Sequence, residues 1–227
     1  MKICVITDIH SNVFALRAAL AEIDRIKPDK IVCLGDIVGN GAYPEETVQL
    51  IKSRKDITCV CGNHDFIVLA DLEKFSKEDV RLKGFKWQQR VLSTNSKEFL
   101  SGLKKEYRFT AEGLRVVCFH YPKKGGRFKE LIYLPNEEQI KQLFNGETGD
   151  VFLFGHEHTG SFTEIGNKYY LNFGTLGNLL EEGFARVGVV DITQGSIDYK
   201  LVKVPYNDKI FIKRCKEIND LLALKPD

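Results

Sequence analysis

The tetrapeptide Gly62-Asn63-His64-Asp65 carries three side chains that are able to bind a metal ion or move a proton. It directly follows the apolar, β-branched run 57–61, so we expect it at the end of a strand. The asparagine offers a carbonyl oxygen, the histidine a ring nitrogen, and the aspartate a charge that orients the ring. Glycine followed by asparagine is also a common turn pair, so this stretch alone fits an ordinary turn equally well.

Side chains of the same types follow several other apolar runs of the sequence. Two aspartates, Asp8 and Asp36, stand at the ends of the first two runs. Each of the five histidines follows an apolar run by a few residues at most, and these are His10, His64, His120, His156 and His158. A single histidine in such a place is usually a hydrogen-bonded bystander, whereas five of five indicate a shared site.

Together these groups form a mixed set of nitrogen and oxygen ligands, with two carboxylates, one amide and several imidazoles. Such a set suits Mn, Fe, Co, Ni or Zn better than it suits Ca or a site for Mg alone. Its seven or eight members exceed what one tetrahedral ion needs. Two metal ions that share a bridging carboxylate would use them all.

The elements that must position these groups follow a β-α-β-α-β order in the first part of the chain. Strands are predicted at 2–7, 31–34 and 57–61, and a helix is predicted to begin after Ser11 or Asn12. Because the strands are continuous apolar runs joined by helices, we expect a parallel sheet with right-handed crossovers. Sheets of this kind bind ligands at the carboxyl ends of their strands, where the polar groups stand.

Residues 66–105 interrupt this order and are predicted to form a helical, cap-like insertion. Ser76 and Asp79 resemble a capping box for a helix that runs to about Leu92, and a shorter helix is expected after residues 95–96. The insertion would help to shape the pocket for a substrate.

The second half of the chain is richer in strands. They are predicted at 114–119, 151–154, 161–165, 168–172, 185–192 and 196–204, with turns at 166–167 and 194–195. A short helix at 136–145 and an amphipathic helix at 207–223 complete the elements. These hairpin-like strands predict a second sheet, mixed or antiparallel, within a single domain that spans residues 1–227.

The composition limits the partners of the chain. A formal net charge of only +2, without a basic stripe interleaved with aromatic residues, argues against nucleic acid as a partner. No run of about 18 apolar residues is present, so we expect no membrane span. The apolar stretch 3–6 is too short for a secretion signal. Six cysteines without CxxC spacing favour buried free thiols in a reducing cytoplasm.

Several motifs occur in the order that characterises one family: Asp8-Ile9-His10, Gly35-Asp36, Gly62-Asn63-His64-Asp65, His120 and Gly155-His156-Glu157-His158. In these motifs the sequence resembles the calcineurin-like metallophosphoesterase superfamily, in particular its small bacterial and archaeal phosphodiesterase-like branch. Residues 172–177 also resemble that branch's Asn-Pro-Gly-Ser-x-Gly loop, with Phe173 for proline and Thr175 for serine. Tyr121 follows His120 where the family more often has glycine. The resemblance implies an α/β fold of four layers, in which two packed mixed sheets are flanked by helices.

The resemblance also implies two divalent transition metal ions, of which we expect Mn²⁺ to support activity best. It assigns one ion to Asp8, His10, Asp36 and His158, and the other to Asp36, Asn63, His120 and His156. His64 is then not a ligand but faces the substrate, while Asp65 orients its ring and favours the protonated form. Two ions, two carboxylates and a bridging hydroxide would leave about +1 of net charge, which favours a bound phosphate.

These expectations favour a dinuclear phosphohydrolase that cleaves a phosphodiester or phosphoanhydride bond with the bridging hydroxide. Its substrate would be a small phosphate ester or nucleotide, and His64 would assist the leaving oxygen as general acid. Lys123, Lys124 and Arg127 lie in a glycine-containing loop just after His120 and would bind the substrate's phosphates. An exposed basic loop is an equally good interpretation of these three residues.

Two alternatives stay open on the sequence. Relatives of this fold that act as non-catalytic scaffolds have lost active-site histidines, whereas no ligand position is missing here. The other alternative is a phosphomonoesterase or protein phosphatase. Protein phosphatases of the family carry an arginine shortly after Gly-Asp and a glutamate after Gly-Asn-His. This chain has Val38-Gly39-Asn40-Gly41 and Asp65 at these places, which argues against a protein phosphatase.

Overall fold

The computed structural model describes residues 1–74, 81–178, 183–194 and 196–224 of the chain. In chain order, the strands are β1 (Lys2–Ile6), β2 (Lys30–Cys33), β3 (Ile57–Cys59), β4 (Glu106–Ala111), β5 (Leu114–Phe119), β6 (Lys123–Lys124), β7 (Arg127–Phe128), β8 (Val151–Phe154), β9 (Ser161–Ile165), β10 (Lys168–Asn172), β11 (Phe184–Thr193) and β12 (Ser196–Pro205). The helices are α1 (Val13–Ile26), α2 (Pro44–Ser53), α3 (Asn63–Ile67), α4 (Arg81–Val91), α5 (Thr94–Ser101), α6 (Glu137–Leu143) and α7 (Lys209–Leu224), with a 3₁₀ turn at Leu72–Lys74.

The first sheet has the strand order β12-β11-β1-β2-β3. Strands β1, β2 and β3 run parallel, β11 is antiparallel to β1, and β12 is antiparallel to β11. Helices α1 and α2 connect the parallel strands, as the β-α-β-α-β order predicted. Asn12 caps α1, because its side chain accepts a hydrogen bond from the backbone N–H of Ala15.

The second sheet has the order β4-β5-β8-β10-β9. Its three middle strands run parallel, and an antiparallel strand lies at each edge, so the sheet is mixed. The edge strand β4 has no counterpart among the predicted strands. Exposed polar residues alternate along it with Tyr107 and Phe109, which pack on the core. Strands β6 and β7 form a separate hairpin.

The two sheets pack face to face around a shared apolar core. Residues of both sheets contribute to it, among them Ile3, Val5, Val32, Val116, Leu153 and Leu171. Helices α1 and α2 pack on the other face of the first sheet. Helix α6 packs on the other face of the second sheet, where Ile140 contacts a cluster that includes Phe152. The order helix, sheet, sheet, helix confirms the predicted four-layer fold.

Helices α4 and α5 form much of the described part of the predicted insertion at 66–105. Leu82 and Phe85 of α4 and Leu100 of α5 join the core on the helix side of the first sheet. Helix α4 packs against α2 and α7, and α5 packs against α2 and α3. The insertion therefore extends the helix layer next to the loops that follow β2 and β3.

Some predictions fall outside the described residues: the capping box of Ser76 and Asp79, and Gly195 of the turn at 194–195. The organisation as one domain over 1–227 stays a prediction. All six cysteines are free thiols, and three of them are fully buried. Among the described residues, no helix has the length and apolar character needed to cross a membrane.

Candidate metal centre

The predicted ligands lie at the carboxyl ends of strands from both sheets. They are Asp8 and His10 after β1, Asp36 after β2, Asn63 after β3, His120 after β5, and His156 and His158 after β8. Backbone hydrogen bonds hold neighbouring turns together. The N–H of His10 donates to the carbonyl of Asp36 (3.0 Å), and the N–H of Gly155 donates to the carbonyl of His120 (2.8 Å).

Several of these residues have a backbone conformation that residues other than glycine rarely adopt. The φ angle lies between 49° and 75°, in the left-handed region, at Asp8, His10, Asp36, His156 and His158. Strain of this kind persists only where the surrounding structure holds it, and it concentrates at functional sites. No local signal in the sequence predicted it.

Two glycines allow the turns after β2 and β3 to touch. A Cβ atom on Gly62 would overlap the Oδ1 and the backbone nitrogen of Asp36. Gly35 has a φ of +95°, and a Cβ atom there would overlap the backbone of Gly62. The glycines of the Gly-Asp and Gly-Asn pairs therefore allow two loops to pack closely against each other. An ordinary turn would not require glycine for this reason.

Three candidate ligand atoms converge next to the end of β1. Asp8 Oδ1 lies 3.1 Å from His158 Nε2 and 3.7 Å from His10 Nε2. The two ring nitrogens are 3.0 Å apart. All three atoms lie within 4.8 Å of one another, so one cation can contact them together.

A second cluster surrounds His120. Its Nε2 lies 3.4 Å from Asp36 Oδ2, 3.2 Å from His156 Nδ1 and 2.9 Å from Asn63 Oδ1. The same oxygen of Asp36 lies 3.9 Å from His10 Nε2, which belongs to the first cluster. Asp36 therefore connects the two clusters, and the fold brings all the predicted ligand residues together.

Two carboxylate oxygens of these clusters accept no hydrogen bond of regular geometry among the described residues, although a histidine nitrogen lies 3.1 Å from one and 3.4 Å from the other. They are Asp8 Oδ1 and Asp36 Oδ2, and both are fully buried. A buried ionised oxygen without a partner is costly, so it needs a compensating group such as a cation. Both oxygens face imidazole nitrogens, and carboxylate with imidazole is a donor set that divalent transition metals prefer. The residues present therefore fit bound divalent metal.

Backbone carbonyls orient two of the histidines. Nδ1 of His10 faces the carbonyl of Val38 at 3.3 Å, and Nδ1 of His120 faces the carbonyl of Leu34 at 2.8 Å. A ring whose Nδ1–H donates to a carbonyl keeps the lone pair on Nε2, the atom that points into each cluster.

Burial and the two aspartates shift the pKa values of the site in opposite directions. Burial lowers the pKa of His10 to about 3 and the pKa of His156 to about 4. Burial also opposes the charged form of His120, but Asp36 and Asp8 outweigh it and raise the pKa of this ring to about 9. Burial raises the pKa of Asp8, yet His120 and other histidine contacts lower it to about 2 overall.

The carboxylate of Asp65 accepts hydrogen bonds from backbone groups and not from the ring of His64. Its Oδ1 accepts hydrogen bonds from the N–H groups of Ile37 (2.8 Å) and Val38 (3.1 Å), and its Oδ2 accepts one from Gly62 (3.0 Å). His64 Nδ1 has no partner among the described residues. The prediction that Asp65 orients the His64 ring is therefore wrong. The tetrapeptide opens helix α3, in which adjacent side chains diverge by about 100°.

His64 lies at the edge of both clusters. Its Nε2 is 3.8 Å from Asp36 Oδ2, and its ring centre is 4.8 Å from that of His10 and 5.2 Å from that of Phe85. Burial lowers the pKa of His64 against the pull of Asp36, so the ring is neutral near pH 7. A ring nitrogen of His64 is also within 4.8 Å of ligand atoms of His10 and Asp36, so its role as a non-ligand stays a prediction.

The three predicted substrate-binding residues divide between the two faces of the β6–β7 hairpin. Lys123 pairs with Phe128 and Lys124 pairs with Arg127, and paired residues share a face. Lys123 Nζ lies 4.2 Å from the centre of the Phe128 ring, and that ring lies 5.7 Å from His120. Lys123 therefore lies on the face next to the site, whereas Lys124 and Arg127 are exposed on the other face.

Sequence reasoning assigned no role to two residues that contact the candidate ligands. The side-chain amide of Asn178 lies 2.9 Å from His158 Nδ1. The ring of Tyr121 lies 4.9 Å from that of His156. Tyr121 could have been found, because it stands where the family more often has glycine. Asn178 stands 20 positions from its partner, and no local pattern pointed to it.

Fold and site together define a four-layer α/β protein with a candidate metal centre of histidines and carboxylates at its strand ends. Residues 1–195 match the calcineurin-like phosphoesterase superfamily domain. The chain belongs to this superfamily, and the resemblance expected from its motifs is confirmed.

Similar proteins come from archaea and bacteria. An uncharacterized protein of Methanocaldococcus jannaschii is 31% identical over 226 residues, which cover 91% of this chain and 88% of the relative. The crystal structure of a hypothetical protein from Pyrococcus horikoshii OT3 superposes with a TM-score of 0.83 at 20% identity and covers 97% of each chain. The crystal structure of a metallophosphoesterase from Sphaerobacter thermophilus superposes with a TM-score of 0.75 at 22% identity and covers 98% of this chain and 97% of its own. These two likenesses show the fold.

Proposed function

We propose that the protein is a phosphohydrolase that holds two divalent metal ions and cleaves a phosphodiester or phosphoanhydride bond. The substrate would be a small phosphate ester or nucleotide. The observation that best supports the proposal is the pair of buried carboxylate oxygens, Asp8 Oδ1 and Asp36 Oδ2, which accept no hydrogen bond of regular geometry among the described residues and face histidine nitrogens.

In this proposal the ligand residues divide between two ions. One ion is held by Asp8, His10, Asp36 and His158, and the other by Asp36, Asn63, His120 and His156. When bound, the ions would supply Lewis acidity and a hydroxide nucleophile near neutral pH. Among the transition metals that the mixed donor set suits, we propose Mn²⁺ as the ion that supports activity best.

Three further residues of the chain would act around the substrate. Lys123 binds phosphate oxygens from the site-facing side of the hairpin. His64, with a neutral ring, donates a hydrogen bond through Nε2 to the leaving oxygen. Asp65 holds the loop after β2 against α3, where the N–H of His64 also donates to Asp36 Oδ1 (2.8 Å). These hydrogen bonds fix the position of Asp36 relative to His64.

A panel assay tests the proposal. Protein purified without chelator and supplied with Mn²⁺ is offered an aryl phosphodiester, an aryl monoester, cyclic nucleotides and dinucleoside polyphosphates. We expect the diester or the polyphosphates to be cleaved fastest. Preference for the monoester would identify a phosphomonoesterase. Bound metal without turnover of any substrate would favour a non-catalytic scaffold, the alternative that the complete ligand set argues against.

Lys123→Ala is expected to raise KM for the best substrate about tenfold, the size of one lost charge-assisted hydrogen bond to phosphate. The matched control is the double variant Lys124→Ala/Arg127→Ala, which removes two cations from the opposite face of the same hairpin. It should change KM less than about twofold. Steady-state kinetics measure both KM values. A larger increase of KM in the double variant than in Lys123→Ala would contradict the assignment of Lys123 as the phosphate-binding residue.

Metal binding is expected to strengthen as pH rises through neutrality. An imidazole must lose its proton to bind metal, and the pKa of His120 is raised to about 9. Asp8, with a pKa lowered to about 2, is already ionised. The dissociation constant of Mn²⁺ should therefore fall about tenfold per pH unit between about pH 6.5 and 8.5.

The proton count checks this pH dependence directly. Calorimetric titration with Mn²⁺ in two buffers of different ionisation enthalpy gives the number of protons released. We expect at least one per chain at pH 7, because the pKa values of both His120 and His158 are raised, and clearly fewer at about pH 9.5, where His120 is mostly neutral. Binding without proton release at pH 7 would show that His120 does not compete for the metal.

A further inference from the structure

The loop 39–41, which follows β2, packs directly on the ring of His64. A Cβ atom on Gly39 would overlap Nδ1, Cγ and Cβ of His64, and Gly39 has a φ of +91°. Glycine is therefore required at this position, both for the close contact and for the backbone conformation. A Cβ atom on Gly41 would in turn overlap the carbonyl oxygen of His10. The backbone of this loop thus forms the surface against which the His64 ring lies.

A buried glutamine of the helical insertion holds this loop in place. Gln88 lies in α4 and is 2% exposed. Its Oε1 accepts a hydrogen bond from the N–H of Gly39 (2.9 Å), and its Nε2 donates to the carbonyl of Gly41 (3.2 Å). One side-chain amide thus satisfies backbone groups at both ends of the loop, and buried backbone groups need such partners.

The same helix also contacts His64 directly. Phe85 stands three positions before Gln88, and residues at this spacing share a face of a helix. The centre of the buried Phe85 ring lies 5.2 Å from that of His64, and the ring of His10 lies 4.8 Å away. Packing against Phe85, His10 and the loop 39–41 therefore fixes the orientation of the His64 ring.

The contact with Gly39 distinguishes the two nitrogens of the His64 ring. Nδ1 is buried without a hydrogen-bond partner among the described residues, and the Cα–H of Gly39 that replaces a Cβ atom points at it. A C–H group is a weak donor and accepts no hydrogen bond, so a neutral ring keeps its lone pair on Nδ1 and its proton on Nε2. Nε2 is the atom that lies 3.8 Å from Asp36 Oδ2, beside both clusters.

We propose that Gln88 is a positioning residue, which holds Gly39 against Nδ1 of His64 and so keeps the Nε2–H group directed at the leaving oxygen. Gln88 acts only through Gly39 and His64. The inference rests on the proposed phosphohydrolase function, in which His64 assists the leaving oxygen. It gives the insertion at 66–105 a role in orienting the group that assists the leaving oxygen, beyond shaping the substrate pocket.

Gln88→Met is expected to lower kcat about 10–10²-fold for a poor leaving group, such as a ribose alkoxide, and less than about twofold for a nitrophenolate. Methionine keeps the volume of the side chain and removes both hydrogen bonds to the loop. KM and metal content should match the wild type, because no ligand is changed.

Gln89→Met is the matched control for this substitution. It makes the same exchange at the next position of α4, where the glutamine donates to the carbonyl of Ala70 (2.8 Å). The ratio of kcat for the two leaving groups should keep its wild-type value. A purely structural role of Gln88 would lower kcat equally for both leaving groups in Gln88→Met. That result, or an unchanged kcat, would contradict the inference.

Nitrogen NMR of protein labelled with ¹⁵N-histidine and loaded with Zn²⁺, which is diamagnetic, gives a readout without turnover. The signals of His64 are those that His64→Ala lacks. In the wild type, we expect the shift of an unprotonated nitrogen for Nδ1 and of a protonated one for Nε2. In Gln88→Met the two shifts should approach each other, because the released ring exchanges between tautomers, whereas Gln89→Met should leave them unchanged.

The NMR result separates this inference from the proposed function. A proton on Nδ1 in the wild type, or wild-type shifts in Gln88→Met, would overturn the inference even if every substrate is cleaved. The expected shifts without turnover of any substrate would instead refute the proposed function and leave the orientation of His64 by Gln88 standing.

Discussion

Asp36→Asn is expected to lose both metal ions and to lower kcat about 10³-fold or more, because the lost Lewis-acid contacts amount to several kcal/mol. Asp36 Oδ2 lies 3.4 Å from His120 Nε2 and 3.9 Å from His10 Nε2, so it belongs to both clusters. Asparagine keeps the shape of the side chain, tolerates the left-handed backbone, and still accepts the hydrogen bond from the N–H of His64. The substitution therefore removes the charge and little else.

Asp8→Asn is the matched control. Asp8 also has a left-handed backbone, but its Oδ1 lies beside His10 and His158 of the first cluster only. Elemental analysis of protein purified without chelator should give two ions per chain for the wild type, one for Asp8→Asn and none for Asp36→Asn. One ion in a fully active wild type, or one ion retained by Asp36→Asn, would refute the shared ligand.

His64→Ala is expected to keep its metal and to lower kcat about 10²–10⁴-fold when the leaving group is a poor one, such as a ribose alkoxide. The neutral ring would stabilise the leaving oxygen through a hydrogen bond from Nε2. A nitrophenolate needs little such help, so the loss of kcat should be much smaller with a nitrophenyl ester. Kinetics with both substrate types measure the difference.

The comparison with His156→Ala separates chemistry from metal binding. Both variants truncate a histidine close to the site, but His156 lies 3.2 Å from His120 Nε2 inside the second cluster. His156→Ala should therefore lose metal and activity on every substrate. If His64→Ala loses metal to the same extent, His64 is a ligand. The short distance from His64 Nε2 to Asp36 Oδ2 would then reflect a metal ion that both residues bind.

Much of the fold follows from local patterns in the sequence. The continuous apolar runs that became β1, β2 and β3 predict buried parallel strands, because only such strands lack a polar face. The carboxyl ends of parallel strands share one edge of a sheet, so polar residues after each run had to meet there. The β-α-β-α-β order along the chain and the apolar periodicity therefore predict that Asp8, Asp36 and Asn63 come together.

Contacts between distant segments decided the rest. Asp65 binds the N–H of Ile37, 28 positions away, and this use of its carboxylate depends on Asn63 opening a helix. The strand pairing in the β6–β7 hairpin placed Lys123 beside the site and Lys124 on the opposite face. The sequence of the three basic residues does not reveal this difference. Sequence alone therefore determined which residues gather at the strand ends, because apolar periodicity and the order of elements along the chain are properties of the sequence itself. Only the tertiary structure decided where each side chain points, because that direction depends on hydrogen bonds and packing between segments far apart in the chain.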